Sequence, residues 1–326
     1  MKSLRILITT YPFGKSNNEP MNILLNSGCE VVNNPYNRRL KNSEIPELIK
    51  DFDIIIAGTE NYSIEALESS KVKAICRVGI GLDNVPLNYC KEKGIVVTYT
   101  PDAPSQGVAE LTLANILNMS RHILKSDRSV REHAWNRYLG YLLEEMTIGI
   151  VGLGRIGSKV AGLLQPFNTK ILATEITDKS ELAEKYKIEL VDKKTLFKES
   201  NLVTLHIPSN KNTFHYVDRE VLSWMKTGSF LINTSRGPIV DEDALYDALV
   251  QNHLQGASLD VFNTEPYEGK LIKLENVIFT AHMGASANKS RYLMELGAAQ
   301  DCLNFLNNKK LQNDAITEDN LSTSKE

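Results

Sequence analysis

Short apolar runs alternate along this chain with stretches in which apolar residues return every three or four positions. That alternation predicts a parallel sheet interleaved with helices. Runs at Leu4 to Thr9, Glu30 to Asn33, Asp53 to Ala57, Ala74 to Val78 and Val96 to Tyr99 read as strands, with helices at Pro20 to Asn26, Ser43 to Lys50 and Ser63 to Glu68. Residues 1–100 thus make one small α/β domain. Thr100-Pro101-Asp102-Ala103-Pro104 is a proline-punctuated joint. Helical stretches follow from Ser105 to about His122 and on to about Trp135, and then the strand–helix alternation resumes. Strands are expected at Thr169 to Ile176, Leu202 to His206, Ser229 to Asn233, Gly256 to Asp260 and Val277 to Thr280. A last helix, Asn288 to Asn307, is long enough to cross back to the first domain. From Lys309 onward the composition turns polar, and the expectation is a frayed tail over residues 309–326.

The second set of elements opens on Ile148-Gly149-Ile150-Val151 running into Gly152-Leu153-Gly154-Arg155-Ile156-Gly157, the G-x-G-x-x-G fingerprint of a dinucleotide site. Gly152 allows the tight strand-to-helix turn, Gly154 lets backbone approach a pyrophosphate, and Gly157 lets helix pack on strand. The pyrophosphate would rest on a helix N-terminus, where unpaired N–H groups and the helix dipole favour negative charge. An amphipathic stretch, Ser158 to Phe167, follows. Glu175 ends the next strand about 20 residues past the glycines, where an acid accepts from the adenosine ribose hydroxyls. A carboxylate there repels a 2′-phosphate, so NAD is favoured over NADP. Residues 101–284 are accordingly the nucleotide domain.

Composition narrows the classes. The 326 residues are enough for two domains, and 42% hydrophobic with 24% charged is ordinary for a globular chain. A net charge of −3 offers no electrostatic footprint for nucleic acid or an anionic membrane. The six histidines form no metal-binding pattern, and Cys29, Cys76, Cys90 and Cys302 are scattered, as reduced thiols would be; no metal is expected. The opening apolar run is too short for a signal peptide, and no run suits a membrane helix, so the expected location is the cytoplasm.

Three later strand ends carry reactive side chains: Arg236 in Asn233-Thr234-Ser235-Arg236-Gly237, Glu265 after Leu259-Asp260-Val261-Phe262-Asn263-Thr264, and His282 in Thr280-Ala281-His282-Met283-Gly284. Ligands of open α/β sheets bind beyond the carboxyl ends of strands, so all three could converge on a nicotinamide. With Arg77 to Val85 (R-V-G-I-G-L-D-N-V) and His206-Ile207-Pro208, these segments make the chain resemble the D-isomer-specific 2-hydroxyacid dehydrogenases, most of all the phosphoglycerate dehydrogenase branch, over roughly residues 1–308.

The resemblance implies two Rossmann-like or flavodoxin-like parallel-sheet domains. The outer substrate domain would be built from residues 1–100 and 285–308, with the nucleotide domain inserted. It implies that Arg236 binds the substrate carboxylate, which its planar fork matches bidentately. His282 would be the general acid in reduction and the base in oxidation, since an imidazole offers both protonation forms near neutral pH. Glu265 would orient that imidazole and stabilise its protonated form. Asp260 would hold the nicotinamide carboxamide. His206, Ile207, Pro208, Thr213, Thr234, Ser235 and Gly284 would line the cofactor with Gly152, Gly154, Arg155, Ile156, Gly157 and Glu175. Val78 and Gly79 would bind the substrate carboxylate through their backbone. The partner is then a small 2-oxo or 2-hydroxy acid. A homodimer would form through about Ala109 to Tyr141, where Trp135 and Tyr138 suit an interface.

Departures bear on the substrate. Pro101-Asp102-Ala103-Pro104 stands where the family often has P-G-x-N, and Ala281 replaces a usual proline. Gly58-Thr59-Glu60 occupies the turn where phosphoglycerate enzymes carry an arginine, which counts against 3-phosphoglycerate. Arg77, and more weakly Lys15, remain as partners for a distal phosphate or carboxylate. Serine feedback through a C-terminal regulatory module is not expected. A glyoxylate or hydroxypyruvate reductase is the alternative enzyme. An NADH-responsive corepressor on the same scaffold is the non-enzymatic alternative. Glu265 disfavours the formate dehydrogenase branch, which has glutamine there, and phosphite oxidation stays a minor option.

Overall fold

The computed structural model describes residues 3–323. The chain divides into two compact units, Met1–Pro104 with Ala285–Glu326, and Ser105–Gly284.

The first unit is a five-stranded parallel sheet of β1 (Arg5–Ile8), β2 (Glu30–Val32), β3 (Ile54–Ala57), β4 (Ala74–Arg77) and β5 (Val96–Thr98), ordered β2-β1-β3-β4-β5. Strand residues alternate between faces, and each face has its own apolar cover. Ile6, Ile8, Ile54, Ile56 and Cys76 pack with Leu24 of the helix Glu19–Leu25 and with Met294, Ala298 and Cys302 of the helix Asn288–Leu306. Leu7, Ile55, Ile75 and Val97 pack with Ile45, Ile49, Leu67 and Cys90 on the other face. A strand buried on both faces reads as a continuous apolar run, which is why I-I-I-A and A-I-C-R were legible.

The second unit is a seven-stranded parallel sheet of β6 (Thr147–Val151), β7 (Lys170–Thr174), β8 (Ile188–Leu190), β9 (Leu202–Leu205), β10 (Ser229–Asn233), β11 (Leu254–Leu259) and β12 (Val277–Phe279). Its order, β12-β11-β10-β9-β6-β7-β8, reverses direction at the β6–β9 boundary. In doubly wound sheets that switch point opens the ligand crevice. The helices Ser105–Arg121 and Arg155–Leu164 cover one face, and Lys193–Glu199, Arg219–Trp224 and Glu242–Val250 the other.

Several expectations move. The helix after the fingerprint begins at Arg155, not Ser158, because the chain turns helical directly after Gly154. The helix beyond His122 ends at Arg131, short of Trp135. Strand β8 and the helix Leu87–Lys93 had no sequence assignment. The frayed tail is corrected over its described part. Asn313 to Ala315 run along β5, with Tyr99 donating to the Asn313 carbonyl (3.3 Å) and Ala315 to that of Val97 (2.8 Å). Buried Asp301 accepts from the Gln312 and Asn313 amides (2.7 and 3.3 Å), Ala315 is fully buried, and a helix spans Glu318–Thr323. Only Ser324 to Glu326 of that tail lie outside the described residues. No helix among the described residues is long and apolar enough to cross a membrane, and none of their acidic, histidine and cysteine side chains group as metal ligands would.

Candidate active site

The glycine turn follows from sterics. Gly152 holds φ +91°, and a Cβ there would lie 2.9 Å from the His206 carbonyl oxygen. A Cβ at Gly157 would lie 1.9 Å from the Gly152 carbonyl oxygen, so the helix seats on the turn only without one. Gly154 differs, since nothing lies within 4 Å of its would-be Cβ. It opens on a cavity of about 790 Å³ lined by Leu153, Arg155 and Ser158 on one side and by Asp178, Lys179 and Glu181 on the other. An open cradle at the N-terminus of a helix, beside a switch point, fits a dinucleotide pyrophosphate and its adenosine. Glu175 stands one residue past β7, and its carboxylate accepts from the amides of Leu153 (2.8 Å) and Ile176 (2.7 Å). It therefore ties the glycine turn to the neighbouring strand end.

His206 follows β9, with its amide on the Val151 carbonyl (2.8 Å). Its Nε2 meets the Thr204 hydroxyl (3.0 Å), while Nδ1 is buried without a partner. Burial pushes its pKa down to about 3, so the ring is neutral. Beyond it, the Thr213 hydroxyl donates to the Pro208 carbonyl (2.7 Å) and so closes its own loop. Ile207 packs at Gly152, and its carbonyl accepts from the Ser235 hydroxyl. Ile156, at the start of the helix Arg155–Leu164, joins the apolar layer behind the turn.

Asn233 shapes the next strand end. Its side chain accepts from the Ser235 amide (3.0 Å) and donates to the Arg236 carbonyl (2.9 Å). The Thr234 hydroxyl meets that of Thr112 (3.0 Å), and the Arg236 guanidinium donates to the Ser235 carbonyl (2.7 Å). Gly237 is required because a Cβ there would lie 2.0 Å from the Phe262 carbonyl carbon and 2.4 Å from the Asn263 nitrogen. The arginine loop and the glutamate loop thus touch through backbone.

Glu265 and His282 come together. The imidazole Nδ1 lies 2.9 and 3.1 Å from the two carboxylate oxygens, and both side chains are largely shielded. A carboxylate only accepts, so Nδ1 carries the hydrogen and Nε2 is left to take up or release a proton. His282 holds φ +50°, a left-handed conformation uncommon outside glycine. Asp260, 1% exposed, imposes it. Its carboxylate accepts from the Thr280 hydroxyl (2.5 Å) and the Met283 and Gly284 amides (2.8 and 2.9 Å), while its carbonyl accepts from the His282 amide (2.8 Å). Asn233, Gly237, Thr280 and Glu242 (which accepts from the Asn263 amide at 2.8 Å) serve this arrangement but were not singled out from sequence. Only the repeated pattern of a polar residue closing each strand could have flagged Asn233 and Thr280.

The other expected residues lie in the first unit. Arg77 closes β4 and is 4% exposed, its guanidinium donating to Asn84 (3.1 Å) and to the Val78 carbonyl (3.2 Å). Gly79, at φ +144°, donates its amide to the Thr100 hydroxyl (2.8 Å). Glu60 is also buried, accepting from the Gly58 amide (2.8 Å). In the helical arm of the second unit Trp135 is 78% exposed, whereas Tyr138 is half-buried, edge-on to His122 and beneath Lys125.

Comparison with known proteins agrees with this geometry. Residues 113–284 match the model for the D-isomer specific 2-hydroxyacid dehydrogenase, NAD binding domain. The chain is 36% identical to a glyoxylate reductase of Thermococcus litoralis over 79% of its own length and 82% of that protein. It is 37% identical to a D-3-phosphoglycerate dehydrogenase of Methanocaldococcus jannaschii over 77% of its length, covering 49% of that longer protein. The structure of D-lactate dehydrogenase from Aquifex aeolicus, complexed with NAD and lactic acid, superposes with a TM-score of 0.83 at 26% identity, over 95% of this chain and 99% of that one. Sheet order, strand-end residues and sequence similarity along most of the chain agree, and the chain belongs to the D-isomer specific 2-hydroxyacid dehydrogenases.

Proposed function

We propose that His282 is the proton-transferring residue of this NAD-dependent dehydrogenase, with Glu265 as its orienter and Arg236 as the binder of the substrate carboxylate. The observation that carries the reading is the contact of 2.9 Å between His282 Nδ1 and Glu265, made by a histidine held at φ +50°. NAD, when bound, takes or supplies the hydride. Glu265 keeps the hydrogen on Nδ1, so Nε2 gives a proton to the carbonyl oxygen in reduction and takes it back in oxidation. Arg236 offers the planar fork that fits a carboxylate. Gly152, Gly154 and the amides that open the helix Arg155–Leu164 would hold the pyrophosphate, and Glu175 would select against a 2′-phosphate.

Small, unphosphorylated 2-oxo acids such as glyoxylate and hydroxypyruvate are the proposed substrates, with the corresponding 2-hydroxy acids as products, of D configuration where the new carbinol carbon is a stereocentre. The buried guanidinium of Arg77, already hydrogen-bonded to Asn84 and Val78, supports a brace for the Val78-Gly79 turn over an anchor for a distal phosphate. The exposed Trp135 supports a homodimer through the arm. NADH oxidation at 340 nm against glyoxylate, hydroxypyruvate and 3-phosphohydroxypyruvate tests the substrate. The expected order puts the unphosphorylated acids first by about 10-fold or more in kcat/KM. A preference for the phosphorylated acid, abolished in Arg77→Ala, would reverse this assignment.

A further inference from the structure

Asn263 stands two residues before Glu265, and its amide donates to a carboxylate from another element. The acceptor is Glu242 Oε1, at 2.8 Å. Glu242 is the first residue of the helix Glu242–Val250, which is capped by Asp241 and anchored in the core by Ala244, Leu245 and Leu249. The same peptide, Phe262 to Asn263, is also backed by Gly237, at a distance that admits no Cβ. The Phe262 amide at its start reaches Glu265 (3.3 Å). A half-buried carboxylate is costly unless it holds something, and burial raises the Glu242 carboxyl above its ordinary range.

From this geometry we infer that Glu242 is a positioning residue: it pins the 262–263 peptide against Gly237 and so fixes the Glu265 carboxylate on His282 Nδ1. The inference rests on the roles assigned to Glu265 and His282 above. What it requires of Glu242 is an acceptor oxygen rather than a charge. With the pin removed, the loop shifts by a fraction of an ångström and the imidazole loses its fixed aim, while the glycine turn that carries the cofactor is untouched.

The test compares kcat, the NADH dissociation constant and the melting temperature of the full-length protein with those of Glu242→Ala, Glu242→Gln, Glu265→Gln, His282→Ala and the Glu242→Ala/Glu265→Gln double variant. Glu242→Ala should lose about 10- to 100-fold in kcat, with NADH affinity and folding retained. Glu242→Gln, which keeps an acceptor, should stay within about threefold of the parent. In the Glu265→Gln background the Ala substitution should change kcat by less than about twofold, since both act through one contact. Full activity in Glu242→Ala, equal damage from Gln and Ala, or losses that multiply in the double variant would each overturn the assignment. If His282→Ala and Glu265→Gln themselves kept full activity, the dyad would be wrong and Glu242 would fall with it. If those two lost activity while Glu242→Ala did not, only the Glu242 assignment would fail.

Discussion

A left-handed backbone costs a side-chain-bearing residue about 1–3 kcal/mol, and His282 bears it because Asp260 holds the amides of His282, Met283 and Gly284. His206 has the opposite economy: a neutral ring, a buried Nδ1 without a partner, and a pKa pushed down to about 3. Its unfolded value is near 6.5, so between those values the unfolded chain binds the extra proton. The stability tied to this group is therefore complete above pH about 6.5 and falls as pH drops toward 3, by at most about 1.4 kcal/mol per unit. Urea unfolding at pH 7.5 and 5.5 should show a larger acid loss for the parent than for His206→Gln, and equal losses would contradict it. Arg236, Glu265 and His282 were singled out from the sequence because each lies at or just beyond a strand end. The resemblance placed Asp260 at the nicotinamide carboxamide, but the bonds of its carboxylate to Thr280, Met283 and Gly284 were not legible, because that partnership exists only once β11 and β12 lie side by side.

At the scale of elements, the buried strands were the most readable part of the chain, since a parallel strand covered on both faces has no polar interruption. Their ends were less so: Glu175 lies just past β7 and braces the glycine turn. The tail misled because its apolar signal is sparse. What orders it is the edge of β5 and the buried carboxylate of Asp301 on a remote helix, neither visible in local composition. Removing residues 309–326 should strip that edge and empty the place of Ala315. The expected loss is about 2 kcal/mol or more, read as a melting temperature lower by several degrees. An unchanged melting temperature would mean that the segment contributes nothing to the fold.

Across the whole molecule the chain leaves the first unit after Pro104 and returns to it at Ala285. Met294, Ala298 and Cys302, far along the sequence, complete one face of the first sheet, so that unit cannot finish its core until the second has been traversed. The proline-punctuated joint and the long last helix suggested this order, and the residues named as site candidates fall into both units. The residues to which proton transfer is assigned in the proposal, His282 and Glu265, belong to the second unit, as do Asp260 and Arg236, and all four follow the carboxyl ends of β10, β11 and β12. The most direct measurement is therefore the rate of NADH oxidation with glyoxylate for the parent and for His282→Ala, with NADH binding followed on the same samples. A loss of about 100-fold or more in kcat with NADH affinity unchanged is the predicted result. Parent-like turnover by His282→Ala would contradict the account.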